Sequence, residues 1–223
     1  GNPISAARIY NSQYVDELII IDIDATNEKR SFNIEIIENI SKECFMPLTI
    51  GGGINSIDTV RELVSMGADK VVINTAAILN ESLITEVANM FGKQCVVVGI
   101  DVRNENGIYK VYRNSGTVLC DFNLIDHVKH VEKLGAGEIF INNISKDGKM
   151  DGYDLELISL LTSNSNLPII ACGGAGNFKH LADAYSQTKV SGLAMASIFH
   201  FGDNNPIRAR SYLKNNKINL KNI

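Results

Sequence analysis

The sequence lacks the features that would direct it to a membrane, to nucleic acid or to an oxidising compartment. No apolar run approaches the roughly 20 residues of a membrane-crossing helix, and the opening residues do not combine basic, apolar and small segments as a secretion signal does. Basic residues form no run: 21 Lys and Arg stand against 25 Asp and Glu, a formal charge of −4. That balance argues against a nucleic-acid groove or an anionic membrane as partner, so any bound anion has to be held by local geometry. Cysteine is sparse. Cys44, Cys95, Cys120 and Cys172 are far apart and make no Cys-x-x-Cys pair, the pattern of reduced, buried thiols in a soluble cytoplasmic protein. Metal spacing is missing too: Asp22 and Asp24 find no histidine or third carboxylate to join them, so no metal or other cofactor is expected. His127, His130, His180 and His200 fall within or beside helical stretches and read as surface or packing residues.

What is present is one domain's worth of chain, 223 residues with 45% hydrophobic, taken as a single domain over residues 1–223. Short runs of Ile and Val recur at Leu18 to Ile23, Leu48 to Ile50, Val71 to Ile73, Val96 to Ile100, Ile139 to Ile141, Ile169 to Ala171 and Leu193 to Ala196. They are continuous rather than alternating, as strands buried on both faces must be. Helical spacing separates them, as in Ile34, Ile37, Ile40 and in Val60, Leu63, Val64, with Ser56 as a start signal and Gly67 and Gly135 as stops. Strand and helix alternate, which predicts a parallel α/β sheet.

The chain also repeats itself at an offset of about 120 residues. Gly52-Gly53-Ile54 answers Gly173-Gly174-Ala175, Asn74-Thr75 answers Ala196-Ser197, and Asp22 answers Asn142. Two similar halves of four strands make a (β/α)8 TIM barrel built from two half-barrel repeats. Only seven strands are visible, and the run ending at Asp101 has no counterpart; the expectation is that strand one is absent from this chain and the visible runs are strands two to eight.

Reactive groups of such a barrel project from the C-terminal strand ends. Those ends carry Asp22 and Asp24, Gly51 to Gly53, Asn74 and Thr75, Asp101, Asn142 and Asn143, Gly173 and Gly174, and Ser197. Glycines bring backbone N–H groups close to a phosphate, and Thr75 adds a hydroxyl donor; Gly173, Gly174, Ala196 and Ser197 repeat the device. Two cradles around one mouth imply a ligand with a phosphate at each end, although tight turns alone would also use glycine here. Asp101 and Asp147 are candidates for acid–base work, with N-capping of a following helix as the alternative for each. At the opposite end Glu17, Lys70 and Glu138 each begin a strand, and the three could close the barrel floor as a ring or form ordinary rim ion pairs.

These residues resemble the cyclase (HisF-type) subunit of imidazole glycerol phosphate synthase, from histidine biosynthesis. The similarity runs from Val15-Asp16-Glu17-Leu18 to Ala196-Ser197-Ile198-Phe199-His200-Phe201 and includes Thr49-Ile50-Gly51-Gly52-Gly53-Ile54, Gly67-Ala68-Asp69-Lys70-Val71, Ile73-Asn74-Thr75-Ala76-Ala77, Gly135-Ala136-Gly137-Glu138-Ile139, Lys146-Asp147-Gly148 and Gly173-Gly174-Ala175-Gly176. The resemblance implies a lyase/cyclase. It takes a bis-phosphorylated ribulosyl aminoimidazole-carboxamide and ammonia from a glutaminase (HisH-type) partner in a heterodimer, and forms imidazole glycerol phosphate and an aminoimidazole-carboxamide ribotide.

By the same resemblance Asp101 is the catalytic carboxylate and Asp147 the loop aspartate near the substrate. Gly53, Asn74 and Thr75, with neighbouring Gly52, hold one phosphate; Gly148, Gly174 and Ser197, with Gly173 and Ala196, hold the other. Glu17, Lys70 and Glu138 belong to an ammonia gate, and Asp69 faces the glutaminase. The family's second catalytic Asp belongs to strand one, so impaired catalysis by this chain is expected. Ser145 stands where the family usually has Asp. Glu43-Cys44-Phe45-Met46-Pro47 and Ala171-Cys172-Gly173-Gly174 look more like a paralogous branch that delivers ammonia to a sugar amidotransferase in surface-polysaccharide biosynthesis. A related sugar isomerase shares the half-barrel repeat, but the charges Glu17, Asp69, Lys70 and Glu138 argue against it.

Overall fold

The computed structural model describes residues 2–28, 30 and 32–221. Seven strands lie side by side and parallel: β1 (Leu18–Ile21), β2 (Leu48–Gly51), β3 (Lys70–Ile73), β4 (Val96–Glu105), then β7 (Glu138–Asn143), β8 (Ile169–Cys172) and β9 (Gly192–Leu193), each hydrogen-bonded to the next in that order. Consecutive strands are neighbours because a helix returns the chain along the outside each time, the connection expected of a singly wound barrel-type sheet. The fold is the α/β barrel type that the repeat predicts.

The start and stop signals work as read. The Ser56 side chain accepts from Thr59 N at 3.2 Å to open the helix Ile57–Ser65, and Gly135, at φ 110°, ends the helix Leu124–Leu134 in the left-handed region. The repeat is visible in the backbone as well. Gly52 and Gly173 have φ of 107° and 93°, Gly53 and Gly174 of 67° and 105°, so both halves turn out of their strands through the same pair of left-handed glycines. A Cβ at Gly52 would lie 2.2 Å from the Asp22 carbonyl oxygen, and one at Gly174 2.1 Å from that of Gly152.

Several boundaries differ from the sequence reading. The first run ends at Ile21 rather than Ile23, and the last strand is Gly192–Leu193 rather than Leu193 to Ala196. The larger difference is at Asp101, which does not end its strand. β4 continues to Glu105, reverses through Asn106-Gly107 and returns as β5 (Ile108–Arg113), with a further short strand β6 (Val118–Leu119) beside it. Asn106 and Gly107 both have positive φ, 54° and 83°, and Glu105 pairs with Ile108, the geometry of a two-residue hairpin turn whose favoured sequence is Asn-Gly. The chain therefore has nine strands among the described residues.

Strand alternation divides the apolar residues into two cores. Residues such as Ile50, Val71, Ile73, Val96, Val98, Ile139 and Ile141 face outward and meet the helices in the main core. Their alternates Val72, Val97 and Phe140, with Ile19, Ile170, Cys172 and Ala194 against them, form a smaller cluster inside the sheet's curve. That inner layer separates a charged floor at the strand starts from a polar mouth at the strand ends.

Candidate active site at the mouth of the barrel

Period-2 alternation puts Asn74, Asp101 and Asn142 on the same inner face as Val72, Val97 and Phe140, two or four residues further along each chain. Asp101 pairs with Asn142 across β4 and β7. Its Oδ2 accepts from Asn74 Nδ2 at 3.0 Å and its Oδ1 from Asn142 Nδ2 at 3.4 Å. Burial drives the carboxyl above its ordinary range; the amides of Asn142 and Asn74 pull it down, and the charge of Asp147 pushes it further up. A carboxylate held, among the described residues, by neutral amides in a partly dry site takes up a proton more readily than an exposed one. The amide oxygens Asn74 Oδ1 and Asn142 Oδ1 are themselves buried without a partner among the described residues.

Neither aspartate is a helix cap. The hairpin separates Asp101 from the next helix, and it is Asp154 that accepts from Leu157 N, at 3.0 Å, to open the helix Leu155–Asn164. Asp147 stands exposed in the loop after β7, with Gly148 beside it at φ 75° and open space where a side chain would be. Its backbone N–H and that of Lys146 are held by the Asn143 carbonyl at 3.0 and 2.9 Å.

Thr75 and Ser197 each begin a short helix, Thr75–Leu79 and Ser197–His200, straight after β3 and β9. The preceding residues Asn74 and Ala196 give these helices no side-chain cap, leaving first-turn N–H groups available to an anion. Thr75 Oγ1 accepts from Asn114 N at 3.0 Å, which directs its own proton elsewhere. Asn114 lies in the turn between β5 and β6, and from the same turn Ser115 Oγ donates to the Ile23 carbonyl at 2.5 Å. The hairpin thus reaches across the mouth, a feature that continuous-run reading missed although Asn106-Gly107 signalled it.

Asp22 is tied into local structure rather than offered to a ligand. Both its oxygens meet the Arg30 guanidinium, and Oδ1 accepts from the backbone of Asp24 and Ala25 at 3.2 Å; the Arg30 bonds hold its carboxyl below the usual range. Cys172, paired with Asn142 across β7 and β8, has its thiol pushed up to about 12 by burial, with Asp147 and Asp101 adding to it. His127 is buried in its helix, its imidazole pushed down to about 4 by burial and by His130.

At the floor the three strand-start charges meet. Lys70 Nζ donates to Glu17 Oε2 at 2.9 Å and to Glu138 Oε1 at 2.7 Å. Thr49, fully buried, donates its hydroxyl to Glu17. Burial works against the Lys70 charge, but the bonds to Glu138 and Glu17 outweigh it and hold the ammonium above its usual range. Glu138 Oε2 is buried with no partner among the described residues. Asp69 is engaged by its own sheet: Oδ2 accepts from Leu48 N at 2.8 Å.

A barrel-type sheet with paired glycine turns, uncapped helix starts and a half-buried carboxylate at one end defines a class, the α/β barrels with a polar site at the strand ends. Known proteins narrow the class. The profile of the family described as "Histidine biosynthesis protein" matches residues 1–205. The chain is 41% identical over 222 residues to imidazole glycerol phosphate synthase subunit HisF of Hydrogenobaculum sp. (strain Y04AAS1), covering 99% of this chain and 88% of that protein. It is 39% identical over 221 residues to HisF of Chlorobium limicola and 38% identical over 222 to HisF of Alkaliphilus metalliredigens, with the same 99% and 88% covered. The chain belongs to the histidine-biosynthesis protein family, as a HisF-type member.

Proposed function

We propose that this chain is the cyclase subunit of an imidazole glycerol phosphate synthase, an enzyme of histidine biosynthesis working in the cytoplasm with a glutaminase partner. The observation that carries the reading is Asp101, half-buried between Asn74 and Asn142 at the strand ends where both glycine turns open. Its raised carboxyl suits an acid–base group for ring closure and carbon–nitrogen cleavage on the ribulosyl aminoimidazole-carboxamide. Gly52, Gly53, Asn74 and Thr75 take one phosphate of that substrate; Gly148, Gly173, Gly174, Ala196 and Ser197 take the other. Asp147 lies on the loop between the two and serves as the second titratable group.

Ammonia enters at the other end. Lys70 with Glu17 and Glu138 forms the gate, and the inner apolar layer of Val72, Val97 and Phe140 lies between gate and mouth. Uncharged ammonia crosses such a layer more readily than ammonium, whose desolvation is costly. The rim at exposed Phe45 and Tyr14 and half-buried Met46 and Pro47, beside the strand starts, supplies apolar area for a docked glutaminase, with Asp69 near it. The four cysteines are free thiols, which suits a reducing compartment.

The test is turnover of the ribulosyl substrate by the full-length protein, with ammonium at alkaline pH and separately with glutamine plus the glutaminase. Formation of both products in each case, lost in Asp101→Asn, supports the reading. Binding of the glutaminase with no cyclisation under either condition overturns it and leaves ammonia delivery to another acceptor as the function.

A further inference from the structure

The loop that carries Asp147 and Gly148 is fixed at its base by a carboxylate outside the site. Asp154 Oδ2 accepts from Asn143 Nδ2 at 2.8 Å, and Asn143, 3% exposed, in turn holds three loop amides: Ser145 N on its side-chain oxygen at 3.0 Å, and Lys146 and Asp147 on its carbonyl. The far side of the loop meets the second glycine turn, where Gly152 N donates to the Gly174 carbonyl at 2.7 Å. One further bond reaches this system from a distance of 45 residues: Tyr109 of β5 donates its hydroxyl to Asp154 Oδ1 at 2.9 Å. The same hairpin, at its next turn, donates Asn114 N to the Thr75 hydroxyl beside the first glycine turn.

We infer that Tyr109 is a positioning residue: its hydroxyl, through Asp154 and Asn143, clasps the β4–β5 hairpin to the Asp147 loop and sets that loop and the second glycine turn for the ligand. Three features support the assignment. Asp154 already has both oxygens engaged as helix cap and Asn143 acceptor, so it is rigid enough to transmit a constraint. The loop holds Met150 in the left-handed region at φ 60°, a strained position for a side-chain-bearing residue that outside contacts have to maintain. The hairpin is an extension of the strand that bears Asp101, so the clasp ties the Asp147 loop to that carboxylate's own strand. Burial and the Asp154 charge both hold the Tyr109 hydroxyl well above its ordinary range, so the donor stays protonated throughout the working pH range.

The role of the loop as a ligand contact rests on the cyclase reading; the clasp itself does not. The test compares Tyr109→Phe with Tyr112→Phe. Tyr112 lies on the same hairpin, but its hydroxyl bonds Glu105 within the hairpin and never reaches the loop. Hydrogen exchange on the full-length protein is expected to show the 145–153 amides opening about fivefold or more faster in Tyr109→Phe, with amides 51–56 unchanged, and no such change in Tyr112→Phe. In ammonium-driven turnover the KM for the ribulosyl substrate is expected to rise about tenfold, equivalent to ~1.4 kcal/mol, with kcat within about twofold. Exchange that is unaltered in Tyr109→Phe, or altered alike in both variants, overturns the clasp, as does an unchanged KM in an active enzyme. If the wild-type protein cyclises nothing, the cyclase reading fails while the exchange comparison still decides the clasp.

Discussion

The two ends of the barrel interior treat charge in opposite ways. At the floor, the Lys70 cation sits between the carboxylates of Glu17 and Glu138 at 2.9 and 2.7 Å, so the half-buried charges offset one another and the ammonium is held above its usual range. At the mouth, Asp101 has no cation beside it among the described residues; neutral amides of Asn74 and Asn142 hold it and its carboxyl is pushed up. A compensated cluster is a stable closure that passes or refuses small molecules, whereas an uncompensated carboxylate is unstable in its charged form and ready for proton transfer. The fold builds both from the same alternation, since Lys70 and Asn74 lie on one face of β3 and Glu138 and Asn142 on one face of β7.

The largest expected effect breaks the mouth. Asp101→Asn should lower turnover by about a thousandfold, within the span of general acid–base catalysis, while raising the melting temperature at pH 8. The sign follows from the raised carboxyl: the stability tied to its protonated form is present in acid and is lost as pH rises through its folded-state value, and Asn removes that loss. Thermal scans at pH 5 and pH 8 should show the gain at the higher pH. Breaking the floor should act differently. Lys70→Met leaves two carboxylates facing each other, costs about 2 kcal/mol of stability, and should uncouple glutamine hydrolysis from product formation while ammonium-driven turnover persists.

Smaller changes sharpen the contrast within the mouth. Gly52→Ala and Gly174→Ala force a Cβ to about 2 Å from a carbonyl oxygen in a left-handed residue and should each cost more than about 3 kcal/mol in urea unfolding. Gly148→Ala meets open space and should cost only the ~1 kcal/mol of its backbone strain. The mildest effect belongs to Asn142→Ala. Losing one of two amide donors should move the acidic limb of the pH–rate profile upward, because the Asp101 carboxyl rises further; an unmoved limb would show that Asn142 does not tune it.

Much of this arrangement was legible in the sequence because it depends on short-range pattern. Continuous Ile and Val runs located the parallel strands, and the offset between Gly52-Gly53 and Gly173-Gly174 showed two half-barrels whose turns share one backbone shape. The floor triad was legible as strand-start charges even though its members lie 53 and 68 residues apart, since strand register alone brings equivalent heights together. The hairpin was not found because reading for continuous Ile and Val runs passes over Ile108 to Arg113, where Lys110 and Arg113 interrupt the apolar residues, and only Asn106-Gly107 marked the reversal. The roles of Asp147 and Asp154 also had to come from the structure. Both precede the same helix at plausible distances, and only three-dimensional contacts show that Asp154 is the cap and Asp147 the exposed member.

The most direct test of the central claim, that floor and mouth do separate jobs, is the ratio of glutamine-driven to ammonium-driven turnover in Lys70→Met and in Asp101→Asn, measured on the complex with the glutaminase. The account predicts that the ratio collapses in Lys70→Met while ammonium turnover survives, and that Asp101→Asn removes both activities together. Parallel loss of the two activities in Lys70→Met, or ammonium turnover surviving in Asp101→Asn, would contradict it.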